Sequence, residues 1–193
     1  MTKKNLIILK QIVLVSLLSA LSIVLTKINN IIPLKPKNIK LFRNFDYAIK
    51  FLPLIIMSFY VPFYLSFLGS FLSETLGFFL KNLKYAYNPI ISIIIAILFG
   101  VLPGLILKKK DSYFKFYIFF VLISFFYQIF NTLSFIFFNK YLCGNSSNIN
   151  LLTIIKKNYI LWKSLSILIT PFFLTFIIKK IINSLNFFNE KIK

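Results

Sequence analysis

The sequence predicts an all-α membrane protein built as a bundle of six transmembrane helices. Of its 193 residues, 59% are hydrophobic and only 14% are charged, whereas soluble domains carry roughly 25% charged residues. Such a chain cannot cover its exterior with polar groups. At roughly 20 apolar residues per crossing, the length holds six spans at most. We therefore expect a single integral membrane domain over residues 1–193, with short loops and no soluble domain.

The first predicted span covers residues 6–27, and its uncharged stretch follows three lysines. A signal peptide also begins in this way. The apolar stretch is, however, at the long end for a signal peptide, and no compact cleavage site of small residues follows it. We therefore expect a retained helix, followed by a loop from Asn29 to about Phe45.

The next apolar stretch, residues 51–80, contains one charged residue, Glu74. Its length of thirty residues exceeds one ordinary span. Because the residue before a proline resists the helical conformation, we place a break at Val61-Pro62. The second and third spans are then expected at about residues 46–61 and 62–80.

Three further spans are predicted in the second half of the chain. The fourth covers residues 89–107 and opens with Pro89, a residue suited to the first turn of a helix. The fifth covers residues 113–138. The sixth covers residues 154–182 and contains Pro171, after a polar loop over residues 139–150.

The formal net charge of +19 would usually indicate a nucleic-acid partner. Here the basic residues lie between and at the ends of apolar runs, as in membrane proteins, so no nucleic acid is expected. The chain has no His and one cysteine, Cys143. It therefore lacks the residues for a zinc cluster, an intrachain disulfide or a Ser/His or Cys/His relay, and we expect no metal, no cofactor and no hydrolytic activity.

An even number of spans places both termini on one side of the membrane. Counting basic residues does not decide the orientation, since eleven would be cytoplasmic and twelve would not. The three consecutive lysines Lys108, Lys109 and Lys110 in a short loop favour cytoplasmic termini. The opposite face would then also be basic. Either an anionic solute that approaches from that side or AT-rich coding, which places Lys wherever it is tolerated, would explain this.

Glu74 is the one acidic residue inside a predicted span. A carboxylate in hydrocarbon costs at least ~2.5 kcal/mol, so Glu74 is expected to face a cavity, a partner helix or a ligand. The alternative is an ion pair with Lys50 or Lys163. Asn131 and Thr132, in the middle of the fifth span, either hydrogen-bond a neighbouring helix or line a polar pocket.

Two other features leave alternatives open. Ser16 and Ala20 lie four residues apart on the first helix, a spacing that lets another helix approach closely, either inside the bundle or on a partner. Tyr85 and Tyr87 fall near a predicted span boundary, where they serve as interfacial anchors or stack on a planar ligand.

Several short motifs follow one another in a recognisable order. They are Phe51-Leu52-Pro53, Val61-Pro62, Ser73-Glu74-Thr75-Leu76-Gly77, Tyr85-Ala86-Tyr87-Asn88-Pro89 and Phe99-Gly100. This order resembles the substrate-binding S component of energy-coupling factor (ECF) vitamin transporters, most closely the folate-type branch. The family pattern has Asp where this chain has Glu74, and Gly where it has Val61 and Ile90.

The resemblance implies a membrane-embedded, high-affinity vitamin-binding subunit, most closely one for folate. It implies separate partners: a coupling transmembrane subunit, contacted through Ser16 and Ala20, and two ATPase subunits. It also implies a bacterial cell membrane as the location and no enzymatic activity in this chain. The expected substrate-binding residues are Glu74, Arg43, Lys50, Tyr85, Tyr87, Asn131 and Lys163.

Three alternatives remain at this point. One is an S component for another vitamin, such as riboflavin or pantothenate. The second is a membrane-embedded enzyme, which would lack an evident catalytic set. The third is a structural membrane protein, which would not require an acidic residue within a span.

Overall fold

The computed structural model describes residues 3–31, 40–80, 87–137 and 159–191, and these ranges are helical without any strand. The helices are α1 (Lys3–Ile31), α2 (Lys40–Tyr60), α3 (Phe63–Phe79), α4 (Pro89–Ile95), a π-helical segment (Ala96–Val101), α5 (Leu102–Ile106), α6 (Tyr113–Phe137) and α7 (Tyr159–Lys191). Because α4, the π-helical segment and α5 are continuous, they form one span. The described elements thus make a six-helix bundle, and the predicted all-α membrane fold is confirmed.

Three helical stretches in the described ranges are long and apolar enough to cross a membrane. They are Asn5–Lys27, Pro89–Ile106 and Tyr113–Ser134. Two shorter apolar stretches, Ile49–Tyr60 and Phe63–Phe79, lie between them. Pro62 stands directly before the first residue of α3, and its backbone is extended at ψ 145°. The chain therefore turns at Val61-Pro62, as the steric restriction before proline predicts.

Three helices, α1, α2 and α7, extend further than the predicted spans. Residues 29–31 belong to α1 and residues 40–45 belong to α2, where we expected a loop. At the other end of the chain, α7 continues to Lys191, beyond the predicted boundary at residue 182. Hydropathy marks where a helix leaves the hydrocarbon, whereas Lys and Arg are good helix formers and let the helix continue into water. The predicted start of the sixth span at residue 154 and the loop over 139–150 lie outside the described residues.

The fourth span also differs from the single regular helix that we expected. Asn88 begins it with a side chain that accepts a hydrogen bond from the Ile90 N–H at 3.0 Å. The π-helical segment then ends just before Pro103, which has no N–H to donate to the preceding turn. A local widening of the helix is one way in which a chain accommodates such a defect.

Small residues allow α3 and the fourth span to pack closely on their neighbours. A Cβ atom added at Gly69 would lie under 3.0 Å from Val15, one added at Gly100 from Ser70, and one added at Gly104 from the backbone of Ser58. Contacts this close explain why glycine stands at these positions. Close backbone approach of this kind is typical of helix packing in membranes, where lipid supplies no hydrophobic force between helices.

The end of α2, the loop between α5 and α6, and part of α7 lie together at one end of the bundle. Tyr60 ends α2, and Lys109 of the loop between α5 and α6 lies with its ammonium 3.7 Å from the centre of the Tyr60 ring. Lys179 of α7 donates to the Lys109 carbonyl at 3.0 Å. We call this region the basic end. It consists of the loop over residues 107–112 together with Tyr60 and Lys179.

The close packing at Gly104 yields a stability prediction. Replacing Gly104 by Ala would place a methyl group against the backbone of Ser58, which cannot move aside as a flexible side chain could. We expect a loss of about 1–3 kcal/mol in the free energy of unfolding, seen as a lower melting temperature of the purified protein in detergent. Gly77→Ala is the matched control, because its new methyl group would meet Thr26 at an ordinary 3.6 Å. Equal melting temperatures for the two variants would contradict the packing argument.

Candidate functional site

An ion pair between α2 and α3 lies at the centre of the candidate site. The Lys50 Nζ donates to Glu74 Oε2 at 3.0 Å, and the two side chains are 8% and 11% exposed. The same ammonium lies 4.4 Å from the centre of the Phe51 ring, a distance at which a cation and an aromatic face attract. Of the two pairings that the sequence allowed for Glu74, the structure contains the one with Lys50.

The pair lies deep in the bundle. Lys50 is ten residues from Tyr60 along α2, and Glu74 is eleven residues from Phe63 along α3. At 1.5 Å per residue, both lie about 15 Å along their helices from the basic end. Charged groups at that depth pair with one another or serve a function.

The first helix fixes the backbone beside the pair. The Ser22 hydroxyl of α1 donates to the Lys50 carbonyl at 3.0 Å, and the Ser19 hydroxyl donates to the Gly69 carbonyl at 3.1 Å. These two bonds link α1 to α2 and to α3. Lys50 and Glu74 are therefore held at matching depths by contacts outside the ion pair itself.

Three aromatic rings form a cluster that reaches Lys50 through Phe51. Phe51 and Phe99 stack with ring centroids 4.1 Å apart and planes 9° apart. Tyr127 of α6 meets both rings edge-on, at 5.6 Å from Phe51 and 5.7 Å from Phe99. Phe99 belongs to the π-helical segment, so the irregular part of the fourth span carries a ring of this cluster. The site therefore combines a carboxylate, an ammonium and flat aromatic surfaces.

Tyr87 is linked to the residue that follows Glu74. Its hydroxyl and the Thr75 hydroxyl are 2.7 Å apart, and its ring lies 5.2 Å from that of Phe78 and 5.3 Å from that of Phe79. Tyr87 thus joins the start of the fourth span to the end of α3, on the side of Glu74 that faces away from the basic end.

Asn131 is partly buried on α6, one turn beyond Tyr127. Further along α6, the Ser134 carbonyl accepts a hydrogen bond from the Asn88 side chain at 3.4 Å. Asn131 therefore lies between the aromatic cluster and the start of the fourth span. The side chains of Arg43 and Lys163, and the whole of Tyr85, lie outside the described residues.

Ser16 and Ala20 are exposed on α1. The Ser16 hydroxyl donates to the Ile12 carbonyl of its own helix at 3.0 Å. The residues that pack α1 on the bundle are instead Val15, Ser19, Ser22 and Thr26, the neighbouring face of the helix. Of the two alternatives that the sequence left open for Ser16 and Ala20, packing inside the bundle is therefore not what the structure shows. That packing comes from the neighbouring residues instead.

Sequence reasoning missed the roles of Phe51, Phe99 and Tyr127. Phe51 and Phe99 belong to the sequence motifs but are absent from the expected substrate-binding residues, although Phe51 directly follows Lys50. Tyr127 stands four residues before Asn131 in a run of phenylalanines. That spacing places both residues on one helix face, a signal that could have found it.

Together the fold and the site define a polytopic α-helical membrane protein with a charged and aromatic centre inside the bundle. The family described as ECF transporter, substrate-specific component, matches the chain over residues 10–188. The chain belongs to this family. No curated protein and no solved structure matches it.

Membership establishes what kind of subunit this is. The protein is the substrate-specific subunit of an ECF importer, a transporter subunit and not an enzyme. The family also implies a small-molecule substrate and partnership with ECF coupling and ATPase subunits.

The burial of the ion pair predicts a specific pattern of stability. Removing one partner leaves the other charge buried and unpaired, which costs about 3–5 kcal/mol. We therefore expect Glu74→Gln and Lys50→Met each to lower the melting temperature of the ligand-free protein. The double variant should lose much less than the sum of the two, because it strands no charge. Additive losses in this double-mutant cycle would show that the pair does not couple the two helices.

Proposed function

We propose that the protein is the high-affinity binding subunit of a bacterial ECF importer for a pterin-containing vitamin of the folate type. The observation that carries this proposal is the Glu74 carboxylate, buried inside the bundle and paired with Lys50 beside aromatic rings. The order of the sequence motifs around Glu74 also favours the folate-type branch.

The chemistry of a pterin suits Glu74. The edge of a pterin offers adjacent N–H donors, which a single carboxylate accepts in a two-point contact. An ionised carboxylate accepts only and has about four acceptor positions, of which Lys50 takes up one.

Aromatic and basic side chains would recognise the rest of the ligand. Tyr127 and Tyr87 offer rings for a flat heterocycle. The carboxylates of a glutamate tail require basic partners, and we assign that role to Arg43 and Lys163, while Lys50 acts at the pterin end through its contact with Glu74. Asn131 and Tyr85 complete the proposed set of substrate-binding residues.

The same proposal fixes the orientation and the partners. Both termini are placed in the cytoplasm, which puts the basic end on the cytoplasmic side. The exposed pair of small residues, Ser16 and Ala20, contacts the coupling subunit. Two ATPase subunits then supply the energy for uptake.

The proposal is tested by titrating the purified protein with folate and its reduced forms. We expect sub-micromolar affinity or better for at least one of them. Glu74→Gln replaces an acceptor-only group by one that also donates, so affinity should fall by one to two orders of magnitude, roughly 1.4–2.8 kcal/mol. The dissociation constant is measured on the folded fraction recovered by size exclusion.

Two control variants accompany this titration. Glu74→Asp keeps a carboxylate and should retain more affinity than Glu74→Gln. Asp111→Asn removes an acidic residue from the loop over residues 107–112 and should leave affinity unchanged. Unchanged affinity in Glu74→Gln would remove Glu74 from the site, and tight binding of riboflavin or pantothenate alone would assign another vitamin.

A second prediction concerns the coupling face. Replacing Ser16 and Ala20 together by Leu should abolish uptake and leave substrate binding unchanged, because bulk there blocks close helix approach without reaching the pocket. Uptake by cells and binding by the purified variant are measured in parallel. Replacing Leu17, an exposed neighbour on the same helix, by Ile serves as the control. Loss of binding together with uptake would show that this face supports the bundle itself.

A further inference from the structure

Among the residues that the structure describes, the basic end contains six lysines and one acidic residue. The lysine cluster consists of Lys108, Lys109, Lys110, Lys115, Lys179 and Lys180, and the acid is Asp111. The first three belong to the loop between α5 and α6, Lys115 to the first turn of α6, and the last two to α7. None of them takes part in the site around Glu74.

Two members of the lysine cluster are held in place by the fold. Lys179 is only 5% exposed, and besides its bond to the Lys109 carbonyl its ammonium lies 4.8 Å from the centre of the Phe116 ring. The Lys109 ammonium lies over the ring of Tyr60. A loop lysine and a helix lysine are thus brought together on aromatic surfaces that come from α2 and α6.

The acidic residue in the cluster, Asp111, already accepts two hydrogen bonds. Asp111 Oδ2 accepts from the Lys115 ammonium and from the Lys108 N–H, both at 2.8 Å, and these bonds lower the pKa of Asp111. In the described part of the chain, neither Lys109 nor Lys179 forms an ion pair with a carboxylate. Burial lowers the pKa of Lys109, because it holds the ammonium partly away from water.

The start of α6 adds to the excess of positive charge. Its first turn contains no acidic residue, although acidic residues are favoured there because they offset the helix dipole. The Ser112 hydroxyl accepts from the Lys115 N–H at 3.3 Å. A 25-residue helix therefore directs its positive end toward the lysine cluster.

Exposed apolar side chains stand on both sides of this charge. Leu105 and Ile106 precede the loop, and Tyr113 and Phe114 follow it, all four exposed. An anion alone would use only the lysines. A molecule with a phosphate and acyl chains would use the lysines and the apolar side chains together.

We propose that the accessible members of the lysine cluster, Lys108, Lys109, Lys110, Lys115 and Lys180, bind the phosphate headgroup of an anionic phospholipid, whose acyl chains lie along Leu105, Ile106 and Phe114. The buried Lys179 holds the Lys109 backbone in place. A loop that only sets topology needs exposed positive charge. It does not require Lys179 to be buried or Lys109 to rest on a ring. The bound headgroup supplies the negative charge that the cluster lacks and fixes the basic end at headgroup depth.

The test is native mass spectrometry of the delipidated protein titrated with phosphatidylglycerol or with phosphatidylcholine of the same acyl chains. We expect tighter binding of phosphatidylglycerol. Each lysine near a membrane surface contributes about 1 kcal/mol toward anionic lipid, so Lys109→Gln should weaken that binding about fivefold. The double variant Lys108→Gln/Lys110→Gln removes charge at two exposed positions and should weaken the binding at least as much.

Lys10→Gln is the matched control, since Lys10 is an exposed lysine on α1, which packs on α2 and α3. It should leave the preference for phosphatidylglycerol unchanged. Equal weakening by Lys10→Gln and by Lys109→Gln would reduce the effect to general surface charge and overturn the proposal. Competition by inorganic phosphate at millimolar concentration would also overturn it, because it would identify a free-phosphate site. Folate affinity is measured on the same variants and should not change.

Discussion

The packing of the first three helices depends on one buried ion pair. Lys50 and Glu74 are both buried in the bundle, where an unpaired charge is costly, and their 3.0 Å contact lets α2 and α3 carry these charges. Such a pair adds little net stability compared with apolar residues. Its effect is on specificity, because another depth or rotation of α2 against α3 would leave both charges unpaired. The hydrogen bonds from Ser19 and Ser22 fix α1 at the same level.

The fourth span adapts to this arrangement. Gly100 and Gly104 allow it to approach α3 and α2 closely, and the π-helical segment just before Pro103 changes its rotation within one span. Phe99 belongs to that segment and stacks on Phe51, the neighbour of Lys50. An irregular helix at membrane depth is tolerated where it is buried in protein. Here the irregularity contributes an aromatic ring to the candidate site.

The candidate site and the basic end differ in their balance of charge. At the centre, one acid and one base form a pair beside the Phe51 ring, an environment suited to a small polar ligand inside an apolar protein. At the basic end, six of the described lysines lie near one aspartate, which is bonded to Lys115. The balanced centre fits the role of a substrate-specific subunit of an ECF importer. The unbalanced end meets the headgroup region, where anionic lipid is at hand.

The sequence by itself determined the membrane class, the six-helix bundle, the break at Val61-Pro62 and the exceptional status of Glu74. These features are local, since hydropathy, proline sterics and an isolated charge are read from consecutive residues. The tertiary structure alone decided that Lys50 contacts Glu74, that Tyr127 joins the aromatic cluster, and that Ser19 and Ser22 rather than Ser16 face the bundle. Each of these depends on the rotation and depth of one helix against another. Both are set by close contacts between residues far apart in the chain, such as Val15 with Gly69, which no local pattern reveals.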